Sequence, residues 1–297
     1  MKSHSLSGLL VCFPQFTRKF AAALTTALIV TIAFPNPVRS QSAEVWVERG
    51  LQQIQAGNVT EAAIAFERAV QVNPRFFPAH YNLGLALRQQ GKVQAAATAF
   101  YQAILVEPNY AVSYANLGAA LLEGNNLKQA KEYLNRALQL DPKLGLAHYN
   151  LGLVLALEGD RKGAIAAFQK ATAFSPNAPE GYYHLGVNYQ QDQWDRGAIA
   201  AFRKAIQINP NYAEAHYSLG TLYYRAGDYE AALNAFRRAT QANPKLTHAY
   251  YAAGMTFLRQ GNRDEAKRLL QAAQTQYQST GNQVWRDRTQ QVLTQIQ

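Results

Sequence analysis

A segment of 34 residues recurs along this chain, and it constrains the possible folds more than any other feature. The clearest copy runs from Ala213 to Leu246. One glycine occupies the same place in seven successive copies. A fixed period in this range is typical of folds that stack many copies of one small structural unit. The seven glycines are Gly50, Gly84, Gly118, Gly152, Gly186, Gly220 and Gly254.

The pattern inside the repeat predicts two helices. His216, Gly220 and Tyr223 fall at i, i+4 and i+7, on one side of an amphipathic helix. Asp228, which follows a glycine, has the type of side chain that caps a helix N-terminus. The second helix is predicted to run to about Asn243, because the proline that follows cannot continue it. Neither helix can bury its apolar stripe alone, so each repeat must stack on its neighbours.

The period divides the chain into seven repeats and a tail. Two alanine columns and one column of Phe or Leu recur in the second half of every repeat. Small residues allow close approach between helices, while the large ones fill the remaining space. The repeats are 43–76, 77–110, 111–144, 145–178, 179–212, 213–246 and 247–280. The tail, 281–297, carries Trp285, Val292 and Ile296 on one side and is predicted to be a capping helix.

These columns resemble those of the tetratricopeptide repeat (TPR) family over residues 43–280. The resemblance implies an all-α fold, a right-handed α-solenoid of seven TPR helix pairs. It also implies that the first helices line a concave groove in which a protein or peptide partner binds. In place of the lysines and asparagines of the family's carboxylate clamp, the corresponding positions carry Tyr, Ala and mostly aliphatic residues. Capture of a chaperone tail by its free C-terminus is therefore disfavoured.

The first forty residues differ from the repeats. Arg18 and Lys19 precede an uncharged apolar run at 20–34, and Ser40 follows two prolines. This order predicts a secretory signal peptide over 1–40, with the repeats within 41–280. The run is shorter than the about 20 residues of a membrane-spanning helix, although an uncleaved anchor is the alternative. We therefore expect an extracytoplasmic protein, periplasmic or secreted, or one anchored by this segment.

Charge is unevenly distributed. The formal net charge is +10, and four cations but no acids lie in the first forty residues, so the remainder has a net charge of +6. The assigned inward positions of the first helices hold five glutamates and three arginines, which places the basic excess on the second helices. Contact with an anionic membrane surface is possible. Nucleic acid is disfavoured, because acids such as Asp228 and Glu230 lie near the cations.

Motifs for catalysis and cofactor binding are absent. The sequence has no Gly-rich phosphate loop, His-Glu-x-x-His pair, Gly-x-Ser-x-Gly elbow or EF-hand loop. His80, His148 and His216 share one repeat position with aromatic residues, which indicates packing and not metal binding. Its one cysteine, Cys12, lies before the repeats. No enzyme activity, cofactor or metal site is predicted.

Candidate partner-binding residues lie on the first helices. Asn82, Asn116 and Asn150 recur every 34 residues, and a ladder of carboxamides could bond a peptide backbone. The alternative is that Tyr-Asn is only the family consensus. The third and fourth repeats are also unusually apolar, which favours an extended hydrophobic peptide or a partner helix. The candidates are Tyr81, Asn82, Val112, Asn116, Leu122, Leu146, Tyr149, Asn150, Leu153, Leu157, Tyr183, His184 and Tyr217.

The sequence thus predicts an exported scaffold whose groove binds a partner during assembly of an envelope or membrane complex. Two other functions are left open: an architectural scaffold that self-associates or lies on a membrane, and a carbohydrate-binding accessory protein whose tyrosines stack on sugars. The oligomeric state is not predicted. Trp194 replaces the usual cap in the fifth repeat, either as an exposed contact residue or as one that packs on a neighbouring turn.

Overall fold

The computed structural model describes residues 42–296, where all regular structure is α-helical. Seven pairs of helices follow one another, and a single helix follows the last pair. The first helices are α1 (Ala43–Gln55), α3 (Phe77–Gln89), α5 (Ala111–Glu123), α7 (Gly145–Leu157), α9 (Pro179–Gln191), α11 (Ala213–Arg225) and α13 (Thr247–Arg259). The second helices are α2 (Val59–Val72), α4 (Val93–Val106), α6 (Leu127–Leu140), α8 (Arg161–Phe174), α10 (Asp195–Ile208), α12 (Tyr229–Ala242) and α14 (Arg263–Ser279). The last helix is α15 (Gln283–Gln295).

The predicted all-α fold of repeated helix pairs is therefore confirmed. The helix ends agree with the sequence pattern to within one or two residues, and α15 packs on α14 as a capping helix. Within residues 42–296, no helix combines the length and apolar composition needed to cross a bilayer. The predicted signal peptide lies outside the described residues.

The helices belong to two compact units, one ending at Asn126 and one beginning at Leu127. Unit 1 comprises α1 to α5, and unit 2 comprises α6 to α15. Inside each unit, every helix packs on the next one along the chain. The division falls between the two helices of the third repeat, a break that the sequence period does not reveal.

The recurring glycine is required by an aromatic ring. A Cβ atom on Gly152 would lie 2.7 Å from the ring of Phe168, and one on Gly186 would lie 2.7 Å from the ring of Phe202. Both phenylalanines are fully buried. A mid-helix glycine costs about 1 kcal/mol against alanine, whereas burying a Phe side chain stabilises the fold by about 1.5–3 kcal/mol. Glycine is therefore required at these positions because only a residue without a side chain leaves room for the buried ring.

The turn that joins the two helices of a pair needs one residue with a positive φ, in the left-handed region of backbone conformation. Most use glycine, such as Gly159 at φ 82° and Gly227 at φ 80°. Asn125 at φ 59° and Gln193 at φ 60° take this place in the third and fifth repeats. At the N-terminus of α12, the carboxylate of Asp228 accepts a hydrogen bond from the backbone N–H of Ala231 at 3.1 Å, as the capping pattern predicts.

The histidine column links each first helix to the turn before it. Nε2 of His80 lies 2.8 Å from the carbonyl oxygen of Pro74, and Nε2 of His148 lies 2.9 Å from that of Pro142. Because a carbonyl only accepts, Nε2 carries the proton and donates. The structure therefore gives these histidines a packing role, together with a hydrogen bond that the sequence did not reveal.

Candidate functional site

Side chains of successive first helices meet in unit 1, each time one residue beyond the equivalent repeat position. Nδ2 of Asn116 on α5 donates to the hydroxyl of Tyr81 on α3 at 3.2 Å. The guanidinium of Arg88 on α3 lies 2.6 Å from the carboxylate of Glu123 on α5. The positions that the sequence assigned to a groove therefore share one side of these helices.

In unit 2, side chains on the corresponding side of the first helices also meet between neighbouring helices. The rings of Tyr149 on α7 and His184 on α9 have centroids 5.7 Å apart. Nε of Arg259 on α13 donates to the hydroxyl of Tyr224 on α11 at 3.2 Å. We call these sides of the first helices the inner face of each unit.

Two of the three asparagines of the ladder are buried, and Asn82 is half-buried. Asn116 and Asn150 are each only 4% exposed. Nδ2 of Asn150 donates to the carbonyl oxygen of Leu146 at 3.0 Å, and Nδ2 of Asn82 donates to that of Pro78 at 2.8 Å. The expectation that Asn116 and Asn150 stand free in a groove is wrong, because the neighbouring helices bury their carboxamides. A role for these residues in partner binding stays a prediction.

In unit 1 the inner face also carries aromatic and aliphatic residues beside the Arg88–Glu123 ion pair. The ring of Tyr81 lies 5.6 Å from that of Phe77 and 5.7 Å from that of Tyr110. Burial raises the pKa of Tyr81 to about 12, so its hydroxyl keeps its proton. Val112 and Leu122 on α5 are half-buried.

In unit 2 three predicted residues form an accessible apolar stripe on α7. Leu146, Leu153 and Leu157 fall at i, i+7 and i+11, on one side of the helix. Leu157 is 43% exposed, and the other two are half-buried. Val187 occupies the position of Leu153 on the next first helix, and both pack partly against the same core cluster. An apolar strip thus continues from α7 to α9.

Tyrosines flank this strip. Tyr183 packs with its ring centroid 5.0 Å from that of Tyr212, while Tyr217 is half-buried on α11. Burial, and secondarily the charge of Glu214, raise the pKa of Tyr183 to about 12. Tyr149, by contrast, is buried, with 9% of its surface exposed. Tyr212, the last residue of its repeat, was missed by the sequence reasoning, which examined only first-helix positions.

His184 belongs to the core more than to a binding surface. Its ring stacks on Phe168 at a centroid distance of 5.6 Å and an interplanar angle of 18°. Burial lowers its pKa to about 4, so the ring is neutral near pH 7. A neutral stacked imidazole contributes packing here, where most other repeats place asparagine, serine or alanine.

The inner face of unit 2 also holds two glutamates. Glu180 and Glu214 are half-buried, and neither forms an ion pair within residues 42–296. Their charges help to raise the pKa of Tyr212, although burial is the larger cause. The candidate groove of unit 2 is therefore apolar along α7 and acidic beside it.

Trp194 combines both roles considered for it. Its ring centroid lies 4.3 Å from that of Tyr189 in an edge-to-face contact. A Cβ atom at Gly197 would lie 2.4 Å from the indole, so the glycine makes room for the ring. Even so, 53% of Trp194 stays exposed. The side chain is packed on one face and available on the other.

Comparison with known families identifies the repeats. A sequence profile described as tetratricopeptide repeat matches residues 47–112 and 116–179. Two further profiles of the same repeat match residues 195–227 and 224–286. This chain belongs to the tetratricopeptide repeat family. Proteins of this family generally serve as non-enzymatic scaffolds for protein–protein interaction. Within the described part of the chain, no group of three His, Cys, Asp or Glu could hold a metal ion.

Solved structures give the same fold. The protein YrrB, described as a TPR protein with an unusual peptide-binding site, is 28% identical, with 61% of this chain and 93% of YrrB covered and a TM-score of 0.53. A chain of the APC/C hetero-tetramer Cut9–Hcn1 is 21% identical, with a TM-score of 0.67 over 73% of this TPR chain. That match spans 43% of the Cut9–Hcn1 chain.

The Pseudomonas aeruginosa protein pilF is 20% identical, with 68% of this chain and 92% of pilF covered and a TM-score of 0.61. At such identities the likeness to pilF and to Cut9–Hcn1 concerns the fold alone. A comparison with curated proteins finds no match.

Proposed function

We propose that this TPR protein is an exported, non-enzymatic scaffold that holds an extended peptide or a helix of a protein partner on the inner face of unit 2. The accessible apolar stripe of Leu146, Leu153 and Leu157 is the observation that carries the proposal. Apolar side chains left accessible in a row mark a binding site more often than isolated ones do. The tyrosines beside the stripe add neutral hydroxyl groups that can bond a peptide backbone.

Two facts support a peptide as the ligand. YrrB, the more identical of the solved structures above, is described as having a peptide-binding site. The stripe is also long and narrow, since its ends are eleven residues apart on one helix, or about 16 Å at 1.5 Å per residue. An extended chain or an amphipathic helix would cover it, and each Å² of apolar area removed from water would contribute about 25 cal/mol before association costs.

Site-specific photo-crosslinking tests this proposal. A photoreactive residue at Leu157 should crosslink a partner in the native cell, and the change Leu153→Glu in the same chain should abolish that product by placing a charge in the apolar contact. The matched control places the photoreactive residue at Gln241, which is exposed on a second helix. Equal products from both positions, or a product that survives Leu153→Glu, would contradict binding at this face.

We further propose that residues 1–40 direct export and that the scaffold acts in the assembly of an envelope or membrane complex. The basic flank and apolar run of that segment support export. Cell fractionation with N-terminal sequencing provides the test. A mature chain that begins near residue 41 in the extracytoplasmic fraction would establish cleavage, a full-length chain in the membrane fraction would establish the anchor, and cytoplasmic recovery would refute export.

Carbohydrate binding gains no support from the tyrosines. The rings of Tyr183 and Tyr217 lie 5.9 Å from those of Phe202 and Phe236, so one side of each is occupied by the core. Tyr183 also packs against Tyr212 and His184, at centroid distances of 5.0 and 5.1 Å, so little of its ring face is left for a sugar to stack on. We therefore do not propose it.

A further inference from the structure

The second helices of unit 2 present an exposed, strongly basic surface. The surface lies on four of the five second helices of unit 2, α6, α8, α10 and α12. On each of them, five exposed positions form one stripe opposite the buried alanine and Phe or Leu columns, at i, i+4, i+7, i+8 and i+11 from the second helical residue. These positions carry nine cations and two anions. We call the cations the basic face: Lys128, Arg136, Lys162, Lys170, Arg196, Arg203, Lys204, Arg237 and Arg238. The two anions are Glu132 and Glu230.

The charge of the basic face is not compensated by ion pairs. None of its nine cations lies within ion-pair distance of a carboxylate in residues 42–296. Their hydrogen bonds go to neutral groups: Arg203 donates to the hydroxyl of Tyr223 at 2.7 Å, and Arg136 and Lys204 donate to the amide oxygens of Gln139 and Gln207, each at 3.1 Å. The full positive charge is therefore available to an anionic partner.

The cations are spread along the stack and not gathered in one pocket. Arg136, Lys170, Lys204 and Arg238 occupy one position in four successive repeats. Packed helices lie on the order of 10 Å apart, so such a row extends over several helix widths. A single anionic group cannot satisfy a row of this length. The spacing fits an extended array of anionic groups.

Exposed aromatic residues accompany the cations. Phe174 lies one turn after Lys170 and is 40% exposed, and Trp194 precedes Arg196 by two residues and is 53% exposed. The indole is the side chain that most favours the interface between water and lipid. Between α6 and α8, a depression of about 390 Å³ has an apolar floor that includes Leu138 and a cation, Lys170, at its edge. Basic residues interspersed with exposed aromatic ones are typical of surfaces that lie on membranes.

Nucleic acid fits these aromatic residues less well, because single-stranded sites place several aromatic rings along one groove, where successive bases stack on them. Here Phe174 stacks on His148 at a centroid distance of 5.5 Å, and one face of Trp194 lies over Gly197. What remains exposed suits insertion among lipid headgroups better than a stack of bases.

We propose that the basic face of unit 2, together with Trp194 and Phe174, docks on a bilayer surface rich in anionic phospholipid. These residues lie on second helices and one turn, and none of them belongs to the proposed peptide site on the first helices. The scaffold would thus hold its partner on one side while its other side rests on the membrane. Failure of either proposal leaves the other intact.

Vesicle co-sedimentation of the full chain tests the docking. The probes are phosphatidylcholine vesicles with and without about one third phosphatidylglycerol. The change Lys170→Gln, Lys204→Gln, Arg238→Gln should weaken anion-dependent binding about 100-fold, since each cation near an anionic surface contributes about fivefold. Residues 1–40 are the same in every variant, so any insertion of the apolar run cancels in the comparison.

A matched control carries the same loss of charge in unit 1: Arg68→Gln, Arg75→Gln, Lys92→Gln, all exposed. It should weaken binding less than about threefold. Equal weakening by both triple variants would overturn the proposal, because net charge alone would then explain binding. Unchanged helical circular dichroism in both variants shows that the fold is retained.

Two further measurements distinguish a membrane from nucleic acid as the partner of the basic face. In the wild type, vesicles should shift tryptophan emission to the blue, and Trp194→Phe should remove most of that shift. Binding of a labelled oligonucleotide as tight as that of the anionic vesicles, and weakened equally by the Lys170, Lys204 and Arg238 changes, would overturn the choice of a membrane in favour of nucleic acid.

Discussion

The outer stripes of the two units differ although the helix pairs beneath them are alike. In unit 1 the corresponding exposed positions of α2 and α4 carry one cation, Arg68, and one anion, Glu67. Helix α4 has no charged residue at all and exposes Tyr101 and Leu105. On α6, α8, α10 and α12 of unit 2 the same positions carry nine cations and two anions. The buried columns are fixed by packing, whereas the outer stripes are free to differ and so to carry function.

The buried interiors of the two units, in contrast, are built in the same way. Phe100 in unit 1 and Phe202 in unit 2 are both fully buried, each over the glycine of its own repeat. Nothing in these contacts distinguishes one unit from the other. The difference between the units therefore concerns surface chemistry and not the construction of the repeat.

The largest effect is expected in that shared interior. Phe100→Ala and Phe202→Ala should each lower the free energy of unfolding by about 3–5 kcal/mol, because each leaves a cavity under a helix crossing. Urea denaturation of both variants followed by circular dichroism provides the measurement. If the two losses differ by more than about 2 kcal/mol, the interiors are not equivalent and the comparison fails.

The next largest expected effect is the pH dependence of folding stability that His184 gives to unit 2. Because burial lowers the pKa of His184 from 6.5 to about 4, the folded state resists a proton that the unfolded state accepts. Stability from this residue is complete above pH 6.5 and falls as the pH decreases toward 4. His184→Asn, which installs the residue found at Asn82 and Asn116 of unit 1, should reduce the acid-induced loss by about 2 kcal/mol, a figure discounted for partial solvent access.

Urea unfolding at pH 7 and at about pH 4.5 measures this difference, since carboxylates titrate alike in both proteins. The change His216→Asn is the control, because that ring lies in another column and donates to Pro210. A pH dependence that is the same in wild type and His184→Asn would show that the buried ring is already protonated or solvated.

The smallest expected effect transfers the outer stripe of unit 2 to unit 1. Tyr101→Arg with Gln102→Lys copies the Arg203-Lys204 pair onto α4. Binding to vesicles that contain phosphatidylglycerol should rise less than about threefold, because the added cations lie outside the basic face of unit 2 and contribute only to the net charge. Tyr101→Gln is the uncharged control. A rise as large as the loss caused by the three changes in unit 2 would show that net charge, and not the position of the basic face, governs binding.

Much of the fold could be predicted because the residues that make each packing contact recur in seven successive repeats. The column of Gly152 and Gly186 indicated close approach, and the structure shows the Phe168 and Phe202 rings that require it. The site was harder. A first-helix pattern cannot show that Asn150 donates to Leu146 and is covered, because burial depends on how the neighbouring helices lie across it.

The sequence by itself determined the helix pairs, their ends, the capping helix and the family, because period, small-residue columns and prolines are local signals that repeat. Only the tertiary structure decided which polar groups stay accessible: it buried Asn116, stacked His184 on Phe168, and left Leu157 and the basic face exposed. It also placed a division between Asn126 and Leu127 that the period does not mark. Accessibility and charge compensation depend on contacts between helices, and those contacts cannot be read from the period of any one repeat.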